Sequence, residues 1–286
     1  MILFDFSQIV VSAAVDYSLK TGEEIDAGLL RHIALNNILT LKDKLNKYAD
    51  EVVLCLDGRN YWRKEVFPHY KRNRKKSHEK DRFDWSGFYK HFNVIKQEFA
   101  ENLPYKVVEV EGAEADDVIA VLCKVYGNQR DVVIVSSDKD FLQIQQNIAS
   151  RVKQYSPFHR KFISPENKEY SLFEHIVRGD AGDGIPNILS DADVFMCDDK
   201  RSKPLRVTRI KEWEQYGVER PECFCSSEAE LDNFIRNRTL IDLRKIPDAV
   251  VTRIVDKYNS VKPNKMRLFN YLVKNKLNKI LERANF

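Results

Sequence analysis

Four short apolar runs, separated by segments of helical periodicity, constrain what this chain of 286 residues can fold into. Each run has the length and composition of a buried β-strand, and acidic residues interrupt or follow each of them. Strands that alternate with helices predict an α/β protein whose mostly parallel central sheet is covered on both faces. The predicted strands and their exits lie in MILFDFSQIVV (1–11), EVVLCLDG (51–58), YKVVEV (105–110) and DVVIVSSDKDF (131–141).

Helical periodicity is clearest at 28–47 and 84–99, where apolar residues recur three or four positions apart. Beyond about residue 170 the chain is predicted to be mainly helical, with a loop at GDAGDGIPN (179–187). Ser171 with Glu174, and Ser227 with Glu230, have the spacing of capping boxes that start helices. We therefore predict two domains, an α/β core over 1–178 and a helical region over 179–286.

The composition is that of an ordinary globular protein, with 43% hydrophobic and 31% charged residues. No apolar run approaches the ~20 residues of a membrane span, and the N-terminus lacks the basic region of a signal peptide. The five cysteines form no CxxC pair, which favours reduced thiols over disulfides or a zinc site.

The basic residues are concentrated in two blocks. Residues 59–82 carry ten Lys or Arg against three acids, and residues 262–283 carry seven against one. Basic blocks that flank an acid-rich middle suggest an anionic polymer held over a metal-binding centre. Two solvated surfaces with nothing bound explain the charge pattern equally well.

The segment EVEGAEADDVIAVL, at 109–122, places five acids at the entrance to an apolar run. Acids favour the first turn of a helix, but five in nine residues also suggest a bound cation. At 100° per residue, Asp116 lies roughly opposite Glu114 on a helix, whereas Asp117 shares its face. If Glu114 and Asp116 both reach a metal, Glu114 must precede a helix that starts near Ala115. Glu109 and Glu111 are then bystanders.

Acids from four segments are predicted to meet at one edge of the sheet. Asp5 and Asp57 end or interrupt strands, the acids at 114–117 follow a third strand, and Asp138 and Asp140 follow a fourth. Each acid alone is explained by a turn or a helix cap. Together, two carboxylates ~5 Å apart repel by roughly 3 kcal/mol at an effective dielectric near 20, so the cluster must bind protons or cations. Oxygen ligands favour Mg²⁺ or Mn²⁺, and two such ions acting on a phosphodiester predict a nuclease.

The motifs resemble the flap-endonuclease/5′-3′ exonuclease family, in order from Asp5 to the C-terminus. The similarity lies in ILFDFS, LCLDG, YKRNRKK, EGAEADDVIAVL, VVIVSSDKDFLQI and IVRGDAGDGIP. The segment LIDLRKIPDAVVTRIVDKYN brings the chain nearest to a branch of that family found in T-even bacteriophages. The resemblance implies a PIN-like 5′-nuclease core, followed by a helical region that binds duplex.

The same resemblance implies a metal site and its ions. The matching acids are Asp5, Asp57, Glu114, Asp116, Asp138, Asp140 and Asp183, and Asp117 and Asp180 match acids that are present, or lie behind the ligands, in some members. Two Mg²⁺ ions are expected as cofactors, with Mn²⁺ able to substitute.

Residues 59–90, here called the basic gateway, resemble the arch of the family. Lys71 and Arg74 match basic residues that approach the scissile phosphate, and Arg63 is expected to position phosphate. Tyr70 is the preferred candidate for stacking on an unpaired base, whereas Trp62 and Phe67 are expected in the core. Arg72, Lys75 and Lys76 either contact the strand or form a solvated surface. Because no glycine lies between Gly184 and Gly217, the duplex is expected to be held instead by Arg201, Lys203, Arg206 and Arg209.

Members of the family remove nucleotides from the 5′ ends of duplex DNA and of RNA–DNA hybrids, and they cut 5′ flaps. The resemblance therefore implies removal of RNA primers from lagging-strand fragments, in the cytoplasm of a phage-infected bacterium. Single-stranded-DNA-binding protein and a sliding clamp are the partners it suggests. Two alternatives stay open: a catalytically silent DNA-structure binder that retains the fold, and a phosphatase with an aspartyl nucleophile. The retained acids argue against the first, and the basic gateway and single Asp in FDFSQI argue against the second.

Overall fold

The computed structural model describes residues 1–48, 50–79, 81–197 and 199–283, apart from the side chains of Lys76 and Ser77. The chain forms two compact units. The first, called the sheet unit, comprises 1–59, 82–164 and 248–286, and the second, called the helical unit, comprises 60–81 and 165–247.

The sheet unit is built on six strands. They are β1 (Ile2–Asp5), β2 (Val52–Leu56), β3 (Lys106–Glu109), β4 (Val132–Val135), β5 (Val152–Ser156) and β6 (Lys161–Ile163). Their order is β3-β2-β1-β4-β5-β6; β1 to β5 pair in parallel, and β6 pairs with β5 antiparallel. The predicted α/β class with a mostly parallel sheet is confirmed, and β1 to β4 are the four predicted strands. The hairpin of β5 and β6 was not predicted.

Some of the helices belong to the sheet unit, and the others form the helical unit. Their bounds are α1 Phe6–Thr21, α2 Ala27–Lys44, α3 Trp62–Val66, α4 Asn73–His78, α5 Trp85–Asn102, α6 Ala115–Tyr126, α7 Leu142–Asn147, α8 Pro165–Lys168, α9 Leu172–Arg178, α10 Val207–Glu214, α11 Glu228–Ile241, α12 Asp248–Ser260, α13 Leu268–Lys274 and α14 Asn278–Arg283. Among the described residues, no helix is both long enough and apolar enough to cross a membrane.

The core of the sheet unit lies between the strands and the helices on them. β1 is buried along its whole length, as expected of a central strand covered on both faces. Phe6, at the start of α1, packs on Phe92 and Phe99 of α5 with ring centroids 5.7 Å apart. The last helices belong to the same unit: the Tyr258 hydroxyl donates to Glu51 Oε1 at 2.7 Å, and that of Tyr271 to Glu98 Oε2 at 2.7 Å.

The helical unit has a core of its own. Phe224 stacks on Trp213 at 5.3 Å and contacts Phe173 and Phe234 edge-on at 5.4 Å. Both predicted helix starts are confirmed, because the hydroxyls of Ser171 and Ser227 accept the amides of Glu174 and Glu230 at 3.2 and 3.3 Å.

The compact units divide the chain differently from the predicted domains. Residues 165–178 group with 179–247 rather than with the sheet, and residues 248–286 group with the sheet rather than with the other C-terminal helices. The physical reason is packing between residues that are distant along the chain, which local periodicity does not report.

Candidate metal centre and nucleic-acid contacts

Asp5 ends β1 at the middle of the carboxyl edge of the sheet. The register pairs Asp5 with Cys55 of β2 and Phe4 with Val135 of β4, so the exits of both neighbouring strands lie beside it. The buried Asp5 carboxylate accepts the Ser136 hydroxyl at 2.9 Å and the Gln8 amide at 3.2 Å. Burial, followed by the charge of Asp57 and then that of Asp138, raises its pKa to about 7, although the hydrogen bonds from Ser136 and Gln8 oppose the shift.

Asp57, just beyond β2, is held against the start of α6. Its Oδ1 accepts the amide of Ala115, the first residue of α6, at 3.0 Å. The contact depends on Gly58, whose amide donates to Ala113 O at 2.9 Å. A Cβ at Gly58 would lie 2.0 Å from the backbone oxygen of Val110, so no larger residue fits there.

The predicted start of α6 is confirmed. Glu114 is the N-cap, with extended backbone at φ −92° and ψ 164°, and the helix begins at Ala115. Asp117 is fully buried, and its Oδ2 accepts the Glu114 amide at 2.9 Å. This carboxylate closes the capping box of the helix, and its predicted place in the metal site stays a prediction. Asp116 is half-buried. Burial of the Cys55 thiol raises its pKa, and the charges of Asp5 and Asp116 add to this shift. Asp116 therefore lies near the same edge of the sheet as Cys55 and Asp5.

Asp138 and Asp140 follow β4. Asp138 Oδ1 accepts the Asp140 amide at 2.9 Å, and the Asp138 amide donates to the Ser136 hydroxyl at 3.1 Å. The fully buried amide group of Gln154, on β5, donates to the backbone oxygens of Asp138 and Ser136 at 2.6 and 3.0 Å. Gln154 therefore fixes the loop that carries both carboxylates, a role that no motif of the sequence indicated.

The carboxyl edge of the sheet unit thus carries the predicted acids from four segments. They are Asp5, Asp57, Glu114, Asp116, Asp138 and Asp140. Burial and the repulsion from Asp57 and Asp138 both raise the pKa of Asp5, and a bound cation would relieve this repulsion. Oxygen ligands of this kind suit a hard divalent ion such as Mg²⁺ or Mn²⁺. Glu109 is a bystander, as predicted, because it pairs with Lys96 at 2.7 Å.

Asp180 lies in a tight loop of the helical unit. The loop begins at Gly179, which has a φ of 68°, and a Cβ added there would lie 2.4 Å from the backbone oxygens of Ile185 and Pro186, so a side chain does not fit. Asp180 Oδ1 accepts the amides of Gly182 and Asp183 at 2.8 and 3.2 Å. Its Oδ2 lies 3.2 Å from Nε2 of the buried His175, so one oxygen of Asp180 shapes the loop while the other faces an imidazole.

Asp183 is joined to the basic gateway within the same unit. Its Oδ1 accepts Arg74 Nη2 at 2.5 Å, and its Oδ2 accepts the Tyr70 hydroxyl at 3.0 Å and lies 3.6 Å from Lys71 Nζ. The Lys71 amide also donates to the Asp183 backbone oxygen at 2.7 Å, with Lys71 in the left-handed region at φ 57°. The two predicted phosphate-facing cations are therefore held together by one carboxylate.

Two predicted contacts with nucleic acid differ from the structure. Arg63 is 3% exposed, and its Nε donates to the backbone oxygen of Leu240 at 2.8 Å, so it fastens α3 to α11 instead of facing phosphate. Tyr70 is 2% exposed and part of the core, so its ring is not available for stacking. The expected burial of Trp62 and Phe67 is confirmed.

The other predicted nucleic-acid contacts remain predictions. Arg72 and Lys75 are exposed, whereas the side chain of Lys76 lies outside the described part of the chain. Arg201, Lys203 and Arg206 are exposed before α10, and Arg209 packs over Trp213 at 4.4 Å.

Comparison with known proteins gives consistent matches along the chain. Residues 10–171 match the family model described as "5′-3′ exonuclease, N-terminal resolvase-like domain", and residues 164–286 match the model "T4 RNase H, C terminal". Ribonuclease H of Enterobacteria phage T4 is 32% identical over 291 residues, which cover 99% of this chain and 94% of that protein. Flap endonuclease Xni of Shewanella woodyi is 31% identical over 157 residues, covering 51% of this chain and 58% of its own.

Solved structures from phage T5 share the fold. The T5 D15 protein co-crystallised with metal ions superposes with a TM-score of 0.58 at 17% identity, covering 99% of each chain. The T5 D15 flap endonuclease in a pseudo-enzyme-product complex with DNA and metal ions gives a TM-score of 0.57 at 15% identity, covering 98% of each chain.

Proposed function

Because this chain belongs to the 5′-3′ exonuclease family, we propose that it is a Mg²⁺-dependent, structure-specific 5′ nuclease that hydrolyses phosphodiesters with two metal ions. The observation that carries this proposal is the convergence of Asp5, Asp57 and Asp138 at the carboxyl edge, where burial, followed by the charges of Asp57 and Asp138, raises the pKa of Asp5 to about 7. A folded chain that keeps such a cluster is suited to binding divalent cations.

The acids of the carboxyl edge are the proposed ligands, and Asp180 and Asp183 are proposed as ligands on the family resemblance alone. Bound Mg²⁺ would neutralise charge on the scissile phosphate and lower the pKa of the attacking water. Mn²⁺, with similar ligand preferences, is expected to substitute. Within the chain, Ser136 and Gln8 orient the Asp5 carboxylate, Gln154 fixes the Asp138 loop, and Asp117 fixes the start of α6.

Lys71 and Arg74 are the proposed contacts with the scissile phosphate. A positive group stabilises the charge that develops on the phosphate oxygens as the bond breaks. Their pairing with Asp183 holds both cations in place before substrate arrives. To bind the substrate strand, Lys71 or Arg74 must exchange at least part of its contact with Asp183 for a contact with phosphate.

The proposed substrates are 5′ ends and 5′ flaps of duplex DNA and of RNA–DNA hybrids. The relatives named above are a ribonuclease H, a flap endonuclease and a 5′ nuclease solved with DNA, which supports this range. We further propose a role in removing RNA primers from lagging-strand fragments in the cytoplasm of a phage-infected bacterium. Single-stranded-DNA-binding protein and a sliding clamp are proposed partners on the family resemblance alone.

The proposal is tested by cleavage of nicked, 5′-flap and RNA-primed duplexes in Mg²⁺, with wild type and Asp138→Asn side by side. Removing a residue that only hydrogen-bonds to a metal ligand lowers metal affinity or activity by about 10–100-fold. Asp138 is a proposed ligand itself, so we expect the cleavage rate of Asp138→Asn to fall by more than about 100-fold. Asp131→Asn is the matched control, because Asp131 lies at the exposed amino end of the same strand. Equal cleavage by wild type and Asp138→Asn would remove Asp138 from the site, and no cleavage by wild type would refute the nuclease function. Relative rates on RNA-primed and DNA flaps would also establish the preferred 5′ strand.

A further inference from the structure

A cavity of about 490 Å³ lies at the amino edge of the sheet, where the parallel strands begin. Val52 and Lys106, the first residues of β2 and β3, form part of its wall. Asp57 follows the other end of β2, which places it ~17 Å from Val52 along an extended chain. The cavity is therefore separate from the predicted metal ligands of the carboxyl edge. Its volume lies within the ~300–1,000 Å³ that is typical of sites for small molecules.

Part of the cavity wall is apolar and held in place by the fold. Leu39 of α2, Val52 of β2 and Leu268 of α13 line the cavity and also belong to the buried core of the sheet unit. Pro104 and Pro263 line it as well, and their rings restrict the backbone on which they lie. A flat apolar group bound against these residues would leave water without ordering long flexible side chains. The wall therefore suits a ligand that contains a ring.

The carboxylates in the wall are paired with cations. Glu51 Oε1 lies 3.4 Å from Lys106 Nζ, and Asp43 Oδ2 lies 3.4 Å from Arg283 Nη2. Asp50 Oδ1 accepts a hydrogen bond from the N-terminal ammonium at 2.7 Å. The negative charges of the wall are thus balanced by groups that the protein itself supplies.

Among the described residues, three polar groups of the wall make no ion pair or hydrogen bond. Two are the ammonium groups of Lys42, half-buried in the last turn of α2, and of Lys265, which starts a 3₁₀ turn (Lys265–Arg267). The third is the hydroxyl of Tyr105. Burial, followed by the charge of Asp43, raises the pKa of Tyr105 to about 12, so the hydroxyl keeps its proton at neutral pH. Two positive donors and one neutral donor are therefore available to an anionic ligand.

We propose that this cavity binds a nucleoside monophosphate. Lys42 and Lys265 hold its phosphate, since a lysine ammonium is a point charge well suited to phosphate oxygens. The base lies against the apolar wall, and the Tyr105 hydroxyl donates to the phosphate or the sugar. This site goes beyond the nuclease function proposed above, although hydrolysis at a 5′ end would itself release ligands of this class.

Binding is tested by titrating the full chain with dAMP in metal-free buffer, where no strand is cleaved. Wild type is expected to saturate the base protons of dAMP in saturation-transfer NMR. Its melting temperature is expected to rise with dAMP concentration, because a ligand that binds only the folded state stabilises it. Isothermal titration should show that Lys42→Ala and Lys265→Ala each raise the dissociation constant about 10-fold, the effect of losing a hydrogen bond to a charged group.

Lys47→Ala is the matched control, because Lys47 is an exposed lysine just beyond α2 that lies outside the wall. It is expected to bind dAMP as wild type does. Melting of each variant without ligand establishes that it is folded. If wild type, Lys42→Ala and Lys265→Ala bind dAMP equally well, the nucleotide binds elsewhere and the proposal is refuted.

Other ligands distinguish a nucleotide from its parts and from other anions. Adenosine and inorganic phosphate are each expected to bind at least about 10-fold more weakly than dAMP, because each lacks one of its two sets of contacts. Inorganic phosphate that binds as tightly as dAMP would show an ion on the lysines alone, which refutes the proposal. A hexaglutamate peptide or a 5′-phosphorylated pentanucleotide that binds more tightly than dAMP would also refute it, in favour of an acidic protein segment or a strand end.

The cavity site and the nuclease function fail in distinguishable ways, because dAMP binding is measured without metal and without cleavage. If wild type cleaves a flap in Mg²⁺ but does not bind dAMP, the cavity site is refuted and the nuclease function stands. If wild type binds dAMP and the two lysine variants bind it more weakly, but no cleavage occurs in Mg²⁺, the cavity site stands and the nuclease function is refuted.

Discussion

Asp5 illustrates how a single carboxylate couples folding to metal binding. Its position at the end of the central strand buries it and places it near Asp57 and Asp138. The hydrogen bonds from Ser136 and Gln8 favour its ionised form but do not cancel the effect of burial and neighbouring charge. Between about pH 4 and pH 7 the protein therefore holds a proton at Asp5 that an unfolded chain would have released, and a divalent cation competes with that proton.

We predict that the protein without divalent ions becomes less stable as pH rises from about 4 to about 7. The pKa of Asp5 is raised from 3.8 to about 7 in the folded chain, so its contribution is complete below pH 4 and is lost as the folded carboxyl ionises. At ~1.4 kcal/mol per pKa unit the contribution is on the order of 4 kcal/mol at most. Thermal unfolding in a chelator between pH 4 and pH 8.5 measures this contribution.

Asp5→Asn supplies the control for this pH dependence. The amide cannot ionise, so the fall in stability between pH 5 and pH 7 should be smaller in the variant than in wild type. Added Mg²⁺ should stabilise wild type more at pH 8 than at pH 5, because fewer protons then compete with it. Identical pH profiles for the two proteins would show that Asp5 does not carry the effect.

Gln154 is the second residue whose role depends on burial. We predict that Gln154→Leu lowers kcat by about 10-fold or more, because the loop carrying Asp138 loses both amide hydrogen bonds and outer partners of metal sites have effects of about 10–100-fold. Gln145→Leu is a matched control, since the Gln145 amide donates to Ile163 O on β6, at 3.3 Å. The Mg²⁺ concentration for half-maximal rate should rise in Gln154→Leu alone. If folded Gln154→Leu has a lower melting temperature but the kcat of wild type, Gln154 contributes to stability only and does not position the loop for catalysis.

At the scale of elements, the start of α6 could be predicted from the sequence, whereas the hairpin of β5 and β6 could not. The angular separation of Glu114 and Asp116 required a helix starting near Ala115, and this boundary is confirmed. The hairpin was not predicted because Gln154 and Ser156 of β5 are polar although they are buried. The sequence of β5 therefore lacks the alternation of apolar and polar residues that indicates a strand. The burial of Arg63 and Tyr70 escaped for a related reason: their partners, Leu240 and Asp183, are more than 100 residues away.

Two adjacent residues of α6 are predicted to have opposite effects. Asp117→Ala leaves the buried Glu114 amide without its carboxylate, so we expect a loss of about 1–3 kcal/mol of folding free energy. Asp116→Ala removes a half-buried charge from the acidic edge, so we expect little change in the stability of the ion-free protein but loss of cleavage. Urea unfolding in a chelator and cleavage in Mg²⁺ separate the two effects. Destabilisation by Asp116→Ala with cleavage retained would reverse these roles.

At the scale of the whole molecule, the last helices of the chain, α12 to α14, belong to the sheet unit, which also contains residues 1–59. The helices that the sequence predicted beyond about residue 204 are present as α10 to α14, but the sequence did not predict that α12 to α14 pack with the sheet unit. Their attachments join distant positions: Tyr258 to Glu51, Tyr271 to Glu98, and Lys106 Nζ to the Tyr258 ring at 3.6 Å. Helical periodicity gives the face that a helix buries, but not which partner covers it.

This arrangement predicts that a chain ending at residue 247 fails to fold its sheet unit. Truncation would remove five buried apolar residues from the core that also contains Phe99: Leu268, Tyr271, Leu272, Leu277 and Ile280. At about 1.5–3 kcal/mol each, their loss is comparable to the ~5–15 kcal/mol that stabilises a typical domain. Hydrogen exchange should show residues 1–59 unprotected in the truncated chain, whereas Tyr271→Phe, which removes one hydroxyl, should cost only about 1 kcal/mol and leave protection in place. A truncated chain that unfolds cooperatively and cleaves a flap, with only its duplex affinity reduced, would instead support a separate duplex-binding domain over 179–286.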